Sequence, residues 1–325
     1  MIIPLFDTTV DAVADKLVSI RLEGGVIALS RVLTLLVPVG AAAAEEAIAA
    51  ANRSSMEHPC RLIVLIEGDP TGKSALDAEI RVGGDAGASE VVVLRLRGEM
   101  TAQQGSLVMP LLLPDVPVVT WWPDKVPDTP ASMPLGQLAE RRVTDSRMAE
   151  GTLEDRLTRL AKGYKPGDTD LAWTSITWWR AHLVSLLDQP PFEPVTRVVV
   201  TGRADHPTPV MLATWLGWKL HCPVEVKAVA STSTILRVEL QRPSGPVSID
   251  RPEGTTAATL TTASGQTRRF QLAPPALADC LSEELRRLDA DNIYADVVKR
   301  STAHIGKPSQ KSHKQKDAHL DGAKA

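Results

Sequence analysis

Apolar residues in the first half of the chain recur either at helical spacing or as short continuous runs. Steps of three and four residues predict a first helix over residues 9–22. An alanine-rich stretch predicts a second helix over 41–51, with Asn52 as its left-handed cap. Continuous apolar runs are typical of strands covered on both faces. They predict strands over residues 28–39, 62–66, 91–96 and 118–122, and further helices are predicted over 101–113, 135–139 and 153–161.

The second half changes from a strand-and-helix pattern to a series of alternating strands. Asp170 is a good N-cap for a helix over 170–187, which is followed by a strand over 195–201 and a helix over 205–220. Alternating apolar and polar positions separated by Gly, Pro and Ser then predict mostly antiparallel strands. These strands cover residues 224–229, 235–241, 247–250, 256–261 and 267–272, and a closing helix begins near residue 275.

Turn-forming residues and a change of composition divide the chain. The segment GYKPGDT at residues 163–169 is rich in turn formers and marks the predicted domain boundary. We therefore predict an α/β (α+β) protein of two domains. Residues 1–165 form a mixed α/β sheet domain, and residues 166–300 form an α+β domain rich in antiparallel strands. Residues 301–325 are mostly Lys, His, Gln, Ser and Gly, a composition that predicts a disordered tail.

Composition and charge narrow the classes of function. The 325 residues are 43% hydrophobic, which is enough for ordinary cores, and their 36 basic and 39 acidic side chains give a net charge of −3. Without a basic stripe, nucleic acid is not an expected partner. No apolar run of 18 residues or basic leader segment is visible, so we expect a cytoplasmic protein that does not bind membranes. Cys60, Cys222 and Cys280 lack CxxC spacing and are expected to be free thiols.

The motifs that usually announce catalysis are missing. The segment GDPTGKS at residues 68–74 has three residues between its first glycine and GKS, whereas a phosphate-binding loop needs four and then a helix. An alternating pattern follows instead, so we predict a hairpin-type turn. His58, His182, His206 and His221 fall in separate predicted elements, and no GxGxxG follows a strand. We therefore expect no cofactor, no metal and no enzymatic activity, and we favour a binding or regulatory protein.

Two pairs of adjacent tryptophans stand out. Trp121 and Trp122 end the strand over 118–122, and strand alternation places them on opposite faces. Trp178 lies off the apolar stripe that contains Trp179, and Arg180 follows the pair, where a guanidinium stacks on an indole or binds a carboxylate. Each ring is either part of a core or an anchor for a partner, and the pattern alone leaves both possibilities open.

Several motifs in a fixed order resemble the glucose-6-phosphate dehydrogenase assembly proteins, also called OpcA. They are TLLV at 34–37, HPCR at 58–61, LPDVPVVTWWP at 113–123, VTDSR at 143–147, DLAWTSITWWR at 170–180 and LGWK at 216–219. The resemblance covers most of residues 1–300. It implies a bacterial cytoplasmic protein that binds glucose-6-phosphate dehydrogenase, promotes its active oligomer and raises its activity. Such a protein controls NADPH supply through the oxidative pentose phosphate pathway without catalysing the reaction.

The resemblance carries no catalytic motif, so the candidate residues are interface residues. We predict that the dehydrogenase contacts Asp115, Trp121, Trp122, Arg142, Asp145, Trp178, Trp179 and Arg180. The alternative is a Rossmann-like enzyme or sensor that binds a sugar phosphate or nucleotide in a crevice near the Trp121–Trp122 loop.

Overall fold

Two sheets organise the residues that the computed structural model describes, which are 1–23, 32–83 and 90–302. The strands of the first sheet are β1 (Ile2–Leu5), β2 (Leu33–Gly40), β3 (Cys60–Glu67), β4 (Ala75–Arg81), β5 (Glu90–Arg97), β6 (Val118–Trp122), β7 (Arg141–Thr144) and β8 (Asp168–Asp170). They lie in the order β1-β4-β5-β3-β2-β6-β7-β8. Strand β1 at one edge pairs antiparallel with β4, and β4 pairs antiparallel with β5. The six strands from β5 to β8 in this order run parallel.

The six parallel strands have a recognisable order. If these strands are numbered 1 to 6 along the chain from β2, their order across the sheet is 3-2-1-4-5-6. This is the strand order of the Rossmann dinucleotide-binding fold. Strands β2 and β3 are buried along nearly their whole length, because helices cover both faces of a parallel sheet. One face carries α1 (Val10–Glu23), α3 (Gln104–Val108) and α4 (Pro134–Leu138), and the other carries α2 (Ala44–Ser54) and α9 (Leu277–Leu285).

The second sheet is largely antiparallel. Its strands are β9 (Arg197–Arg203), β10 (Val224–Val229), β11 (Ile235–Gln241), β12 (Val247–Asp250), β13 (Ala257–Thr261) and β14 (Thr267–Gln271), in the order β10-β9-β11-β12-β13-β14. Only the β9 and β10 pair is parallel among these. Five helices share its core, namely α5 (Leu153–Gly163), α6 (Leu171–Thr174), α7 (Thr177–Leu187), α8 (Pro207–Leu220) and α10 (Asn292–Ser301). Alternate residues of β11 face away from that core and are half exposed, as expected for a sheet covered on one side.

The end of the chain ties the two sheets together. Helix α9 follows the second sheet in sequence but packs against α2 and the core of the first sheet. A buried ion pair joins Arg141 at the start of β7 to Glu284 of α9. Within the core of the second sheet, Trp173 of α6 donates through Nε1 to Asp291, the N-cap of α10, at 2.9 Å. These contacts do not test the domain boundary predicted between residues 165 and 166, which remains a prediction.

The predicted fold class is confirmed, and several strands have the predicted limits. Strands β6, β10, β11 and β12 begin and end at the predicted residues. The short strands β7 and β8 were not predicted, because three or four residues carry too little pattern to separate a strand from a turn. Residues 28–31 of the predicted strand over 28–39 and residues 303–325 of the predicted tail lie outside the described residues.

Three long predicted helices are interrupted in the structure. The helix expected over 101–113 is a 3-10 turn at Gly98–Ala102, then α3, then a second 3-10 turn at Met109–Leu111 that contains Pro110. The helix expected over 170–187 divides into α6 and α7, and the closing helix divides into α9 and α10. The N-cap role of Asp170 is confirmed, since its side chain accepts from the Ala172 N–H at 2.9 Å.

Two local predictions are wrong. Asn52 lies inside α2, and the cap of that helix is Ser55 in the right-handed helical region. The segment 68–74 leads into strand β4, so it is not a phosphate-binding loop, but β4 pairs with β1 and β5 and not with β3. The turn therefore crosses over a neighbouring strand and does not close a hairpin. No helix within residues 1–23, 32–83 and 90–302 is long and apolar enough to cross a membrane.

Candidate functional site

The carboxyl ends of β2 and β6 mark the point where the strand order reverses, which is where open α/β sheets bind their ligands. Here the two strand ends are joined directly. Asp124, two residues after β6, accepts a hydrogen bond through Oδ2 from the Gly40 N–H at 2.8 Å. A Cβ added to Gly40 would lie only 2.9 Å from that oxygen, so any larger residue here would displace the carboxylate from this position. The Asp124 carboxylate therefore already binds the Gly40 N–H at the start of the first crossover, the connection from β2 through α2 to β3.

The charges at this crossover are unfavourable for a dinucleotide. Rossmann proteins hold the pyrophosphate at the N-terminus of the first crossover helix, where free N–H groups and the helix dipole attract an anion. The corresponding helix here is α2, whose first turn carries Glu45 and Glu46. Glu45 is paired with Arg81 at 3.0 Å, which leaves Glu46 and Asp124 as the carboxylates beside the start of this crossover. Their negative charges oppose a pyrophosphate at the start of α2.

A crevice of about 360 Å³ opens beside Trp122, on the side of the sheet that carries α3 and α4. Its polar groups are bonded to one another. Lys125 Nζ pairs with Glu67 at 2.9 Å, and Gln104 Nε2 donates to the other oxygen of Glu67 at 2.8 Å. The hydrogen bond to Glu67 also raises the pKa of Lys125. The crevice is large enough for a small molecule, but its polar side chains are already paired.

Trp121 and Trp122 lie on opposite faces of the first sheet, as strand alternation predicts. Trp121 belongs to the core beneath α2 and α9, and Trp122 is 4% exposed and lines the crevice with Met133. Both rings are buried because helices and loops cover both faces of this sheet. A direct contact between Trp121 and a partner is therefore incompatible with this structure.

Arg142 and Asp145 are buried and bonded within the chain. The Arg142 guanidinium donates to Asp168 Oδ1 and, through Nη1, to the Ala139 carbonyl oxygen at 2.7 Å. Burial is the main cause that raises the pKa of Asp168, and the bond from Arg142 opposes it. Asp145 accepts from Arg147 Nε at 2.7 Å and from its Nη2 at 2.6 Å. These side chains stabilise the strand ends from inside.

Asp115 is exposed, and its backbone conformation explains the residue type. It has a φ of 57° in the turn that leads into β6. Few residues tolerate this left-handed region, and glycine, asparagine and aspartate are the usual ones. Asp115 is thus both a turn former and an accessible carboxylate.

The second tryptophan pair is divided between core and surface. Trp179 is 3% exposed in the core of the second sheet, whereas Trp178 is 60% exposed on the outer side of α7. The Arg180 guanidinium stacks on Trp173, with Cζ 3.8 Å from the ring centroid, and Nη2 donates to Thr177 Oγ1 at 2.9 Å. Its Nε has no hydrogen-bond partner, and burial lowers the pKa of Arg180 to about 10. Trp178 therefore offers the largest accessible apolar surface of the eight predicted residues.

Comparison with known proteins gives a consistent result for both halves. A model described as the N-terminal domain of the glucose-6-phosphate dehydrogenase subunit matches residues 51–162. A second model, described as the C-terminal domain of that subunit, matches residues 166–298, and both models bear the OpcA name. The chain belongs to the OpcA family. The resemblance found in the sequence motifs is thus confirmed.

The solved structures similar to this OpcA-family chain are distant. Myo-inositol dehydrogenase from Lactobacillus casei, in complex with NAD(H) and myo-inositol, is 10% identical with a TM-score of 0.42, and the match covers 84% of this chain and 93% of that one. Glucose-6-phosphate 1-dehydrogenase from Mycobacterium avium is 11% identical with a TM-score of 0.40, covering 84% of this chain and 90% of that one. No curated protein sequence matches.

The OpcA motifs fall mainly on the framework of the fold. TLLV lies in β2, HPCR begins β3, VVTWW is β6, and VTDSR begins in β7, all within the first sheet. The longest motif, DLAWTSITWWR, covers α6 and the start of α7, and Trp178 is its exposed large side chain.

Sequence reasoning missed two residues that define this site. Asp124 closes the crossover, and Trp173 holds the Arg180 guanidinium. An aspartate just after a strand end is a signal that could have drawn attention to Asp124. The contact between Asp124 and Gly40 joins residues 84 positions apart, which no local pattern reveals.

Proposed function

We propose that this protein is a non-catalytic assembly factor and allosteric activator of glucose-6-phosphate dehydrogenase. It binds the dehydrogenase in the bacterial cytoplasm, promotes its active oligomer and raises flux into the oxidative pentose phosphate pathway, and with it the supply of NADPH. Membership of the OpcA family, matched in both halves of the chain, is the observation that carries the proposal.

The first crossover supports a non-catalytic role. Asp124 occupies the Gly40 N–H, and Glu45 and Glu46 begin the helix that would face a pyrophosphate. The alternative is an enzyme or sensor for a sugar phosphate or nucleotide near the Trp121–Trp122 loop. The same carboxylates disfavour its Rossmann-like form, in which the phosphate lies at the start of α2. The crevice beside Trp122 supports this conclusion, because Lys125 is already paired with Glu67.

We place the dehydrogenase on the face of α7 that exposes Trp178. Tryptophan and arginine are enriched among the few residues that carry most of the binding energy of interfaces. Trp178 supplies a large apolar surface in water. Arg180 lies two residues further along α7, so it points away from this face, and its guanidinium stacks on the buried Trp173. Trp121, Trp122, Trp179, Arg142 and Asp145 then act from inside by holding the strands and helices that present this face.

Activation follows from linkage. If the protein binds the active conformation or oligomer of the dehydrogenase more tightly than the inactive one, it shifts the population by that difference in affinity. Couplings of this kind are typically about 1–3 kcal/mol, or roughly 5- to 150-fold in an equilibrium constant. Such a mechanism needs no contact with the substrate.

A titration tests the proposal. Dehydrogenase velocity is measured against glucose 6-phosphate at fixed enzyme while the purified protein is added, with the protein alone as control. We expect a saturable rise in velocity or fall in apparent KM, together with a complex on a sizing column. Unchanged velocity with no complex would refute the proposal, and saturable binding of NADP to the isolated protein would favour the alternative.

A further inference from the structure

A second cleft, of about 340 Å³, lies between the carboxyl ends of the first sheet and the loop that joins β9 to α8. The segment Pro123–Asp124 separates it from the crevice beside Trp122, since Asp124 lines both spaces. One wall comes from α2 and this segment. The other wall comes from the residues after β7, from α5 and from the β9–α8 loop. The dehydrogenase surface proposed on α7 does not include this cleft.

Arg156 of α5 is a buried cation on the second wall. It is only 8% exposed, and its guanidinium donates to the carbonyl oxygens of Ser146, at 3.2 Å, and Asp205. Its Nε has no hydrogen-bond partner, and it forms no ion pair with a carboxylate in the described ranges. Burial is the main cause that lowers the pKa of Arg156. The charge of Asp205 opposes this effect, but that carboxylate is paired with Arg203, so a further anion beside Arg156 would be favourable.

The two neighbouring arginines are already neutralised. Arg147 makes a two-pronged contact with Asp145, at 2.7 and 2.6 Å, and Arg203 makes another with Asp205, at 2.6 and 2.9 Å. Each pair carries no net charge into the cleft. Arg156 is therefore the uncompensated cation among the three arginines of this wall.

His206 adds a neutral donor beside Arg156. Its Nδ1 lies 2.9 Å from Thr208 Oγ1 and 3.3 Å from the Thr208 backbone nitrogen. When Nδ1 accepts both hydrogen bonds, Nε2 carries the hydrogen of the neutral ring. Burial and the nearby arginines lower the pKa of His206 to about 4, so the ring is neutral near pH 7. His206 is also the N-cap of α8, a helix of 14 residues whose positive end adds to the attraction for an anion.

The opposite wall carries negative charge instead of positive charge. Glu46 and Asp124 line it, and both are acceptors of hydrogen bonds. They repel a second anion but accept hydrogen bonds from hydroxyl groups. A ligand that fits both walls has an anionic head and hydroxyl groups at the other end. The volume of the cleft suits a small organic molecule.

We propose that this cleft binds a small organic phosphate, with its phosphate on Arg156 and His206 and its hydroxyl groups on Asp124 and Glu46. Three terminal oxygens match the donors of this wall better than the two of a carboxylate, and the guanidinium fork suits a phosphate. The site is separate from the dehydrogenase surface on α7, and it is tested on the isolated chain.

Isothermal titration of the full chain with glycerol 3-phosphate, inorganic phosphate and glycerol tests the site, in chloride buffers of matched ionic strength. We expect one molecule of glycerol 3-phosphate per chain, weaker binding of inorganic phosphate and none of glycerol. Arg156→Gln should weaken binding by about tenfold or more, because it removes a charge-assisted pair. Arg159→Gln removes the same charge one turn along α5, where the side chain is 39% exposed, and should change affinity by less than about twofold.

Several results would overturn the proposal. Absence of saturable binding of either phosphate to the unmodified chain would do so, and equal weakening in the two arginine variants would indicate an adventitious ion only. Equal affinities for glycerol 3-phosphate and inorganic phosphate would show that Asp124 and Glu46 do not bind the hydroxyl groups of the ligand. If Arg156→Gln does not fold, His206→Asn takes its place, because asparagine keeps the helix cap and removes the Nε2 donor; unchanged affinity in that variant would contradict the site.

Discussion

Adjacent tryptophans occur in both halves of the chain, but the structure treats the two pairs differently. Trp121 and Trp122 end a strand and are both buried, on opposite faces of the first sheet. Trp178 and Trp179 begin a helix, and one ring is buried while the other is exposed. The same dipeptide therefore has a structural role in one half and presents a surface in the other.

The difference comes from how many faces each element covers. A strand of a parallel sheet is packed on both sides, so consecutive residues that point in opposite directions are both buried. A helix that packs against one side of a sheet buries one stripe, and a neighbour about 100° away leaves that stripe. In this molecule the second tryptophan pair is consequently the better candidate for a partner surface.

The largest expected effect is on stability. Trp121→Ala and Trp179→Ala should each lower the free energy of unfolding by about 3–5 kcal/mol, because each removes a buried aromatic side chain from a packed core. Denaturant unfolding measures this loss, with Trp178→Ala as the control on the exposed side. A loss below about 1 kcal/mol for either buried ring would show that its core is not packed as described.

The second half should also carry a pH dependence. His206 has a folded-state pKa of about 4 against an ordinary value of 6.5. Between these values the unfolded chain binds a proton that the folded chain does not, so stability falls as pH falls. The loss attributable to this histidine is of the order of 3 kcal/mol from above pH 6.5 to pH 4.

The variant His206→Asn isolates this contribution, because asparagine caps α8 without titrating. Unfolding free energies of both proteins are measured across the range, and the variant should show a shallower decline. Parallel curves would mean that His206 is protonated equally in the folded and unfolded states.

The exposed ring should affect binding without affecting folding. Trp178→Ala should weaken the complex with glucose-6-phosphate dehydrogenase by more than about 2 kcal/mol if Trp178 is a central anchor. The free energy of unfolding should change by less than about 0.5 kcal/mol, because the side chain is mostly in water. Binding and unfolding are measured on the same preparations.

Val184→Ala is the matched control for that experiment. Val184 lies on the same helix and is 53% exposed. We expect it to bind the dehydrogenase like the unmodified chain. Equal losses in the two variants would indicate a broad apolar effect of α7, and unchanged binding in Trp178→Ala would place the interface elsewhere.

The smallest effect concerns Asp115. Its left-handed backbone conformation and a contact with the dehydrogenase are two separate explanations for an aspartate at this position. Asp115→Gly should leave stability unchanged or raised by less than about 1 kcal/mol, since glycine adopts this conformation without strain. Asp115→Ala should lower stability by about 1 kcal/mol, because its Cβ opposes a positive φ. Denaturant unfolding compares the two, and equal stabilities would contradict the importance of the turn. Weaker dehydrogenase binding in the glycine variant would support a partner contact.

Local patterns identified the elements of the fold more reliably than their arrangement. Strand β6 was predicted at its observed limits because five β-branched or aromatic residues lie between prolines. The break between α6 and α7 was not predicted, because no proline or glycine interrupts the residues from Leu171 to Leu187. Tertiary packing of Trp173 and Ile176 accompanies that break.

The sequence by itself determined the mixed α/β class, the opposite faces of Trp121 and Trp122, the departure of Trp178 from the buried stripe and the family motifs. These features depend on spacing within a few residues, which the periods of strands and helices set directly. Only the tertiary structure decided that Asp124 closes the crossover at Gly40, that Trp173 holds Arg180, and that Arg156 is buried with its Nε unbonded. Each depends on the surroundings of a side chain, assembled by sheet order and packing from segments distant in sequence, and no local period encodes those distances.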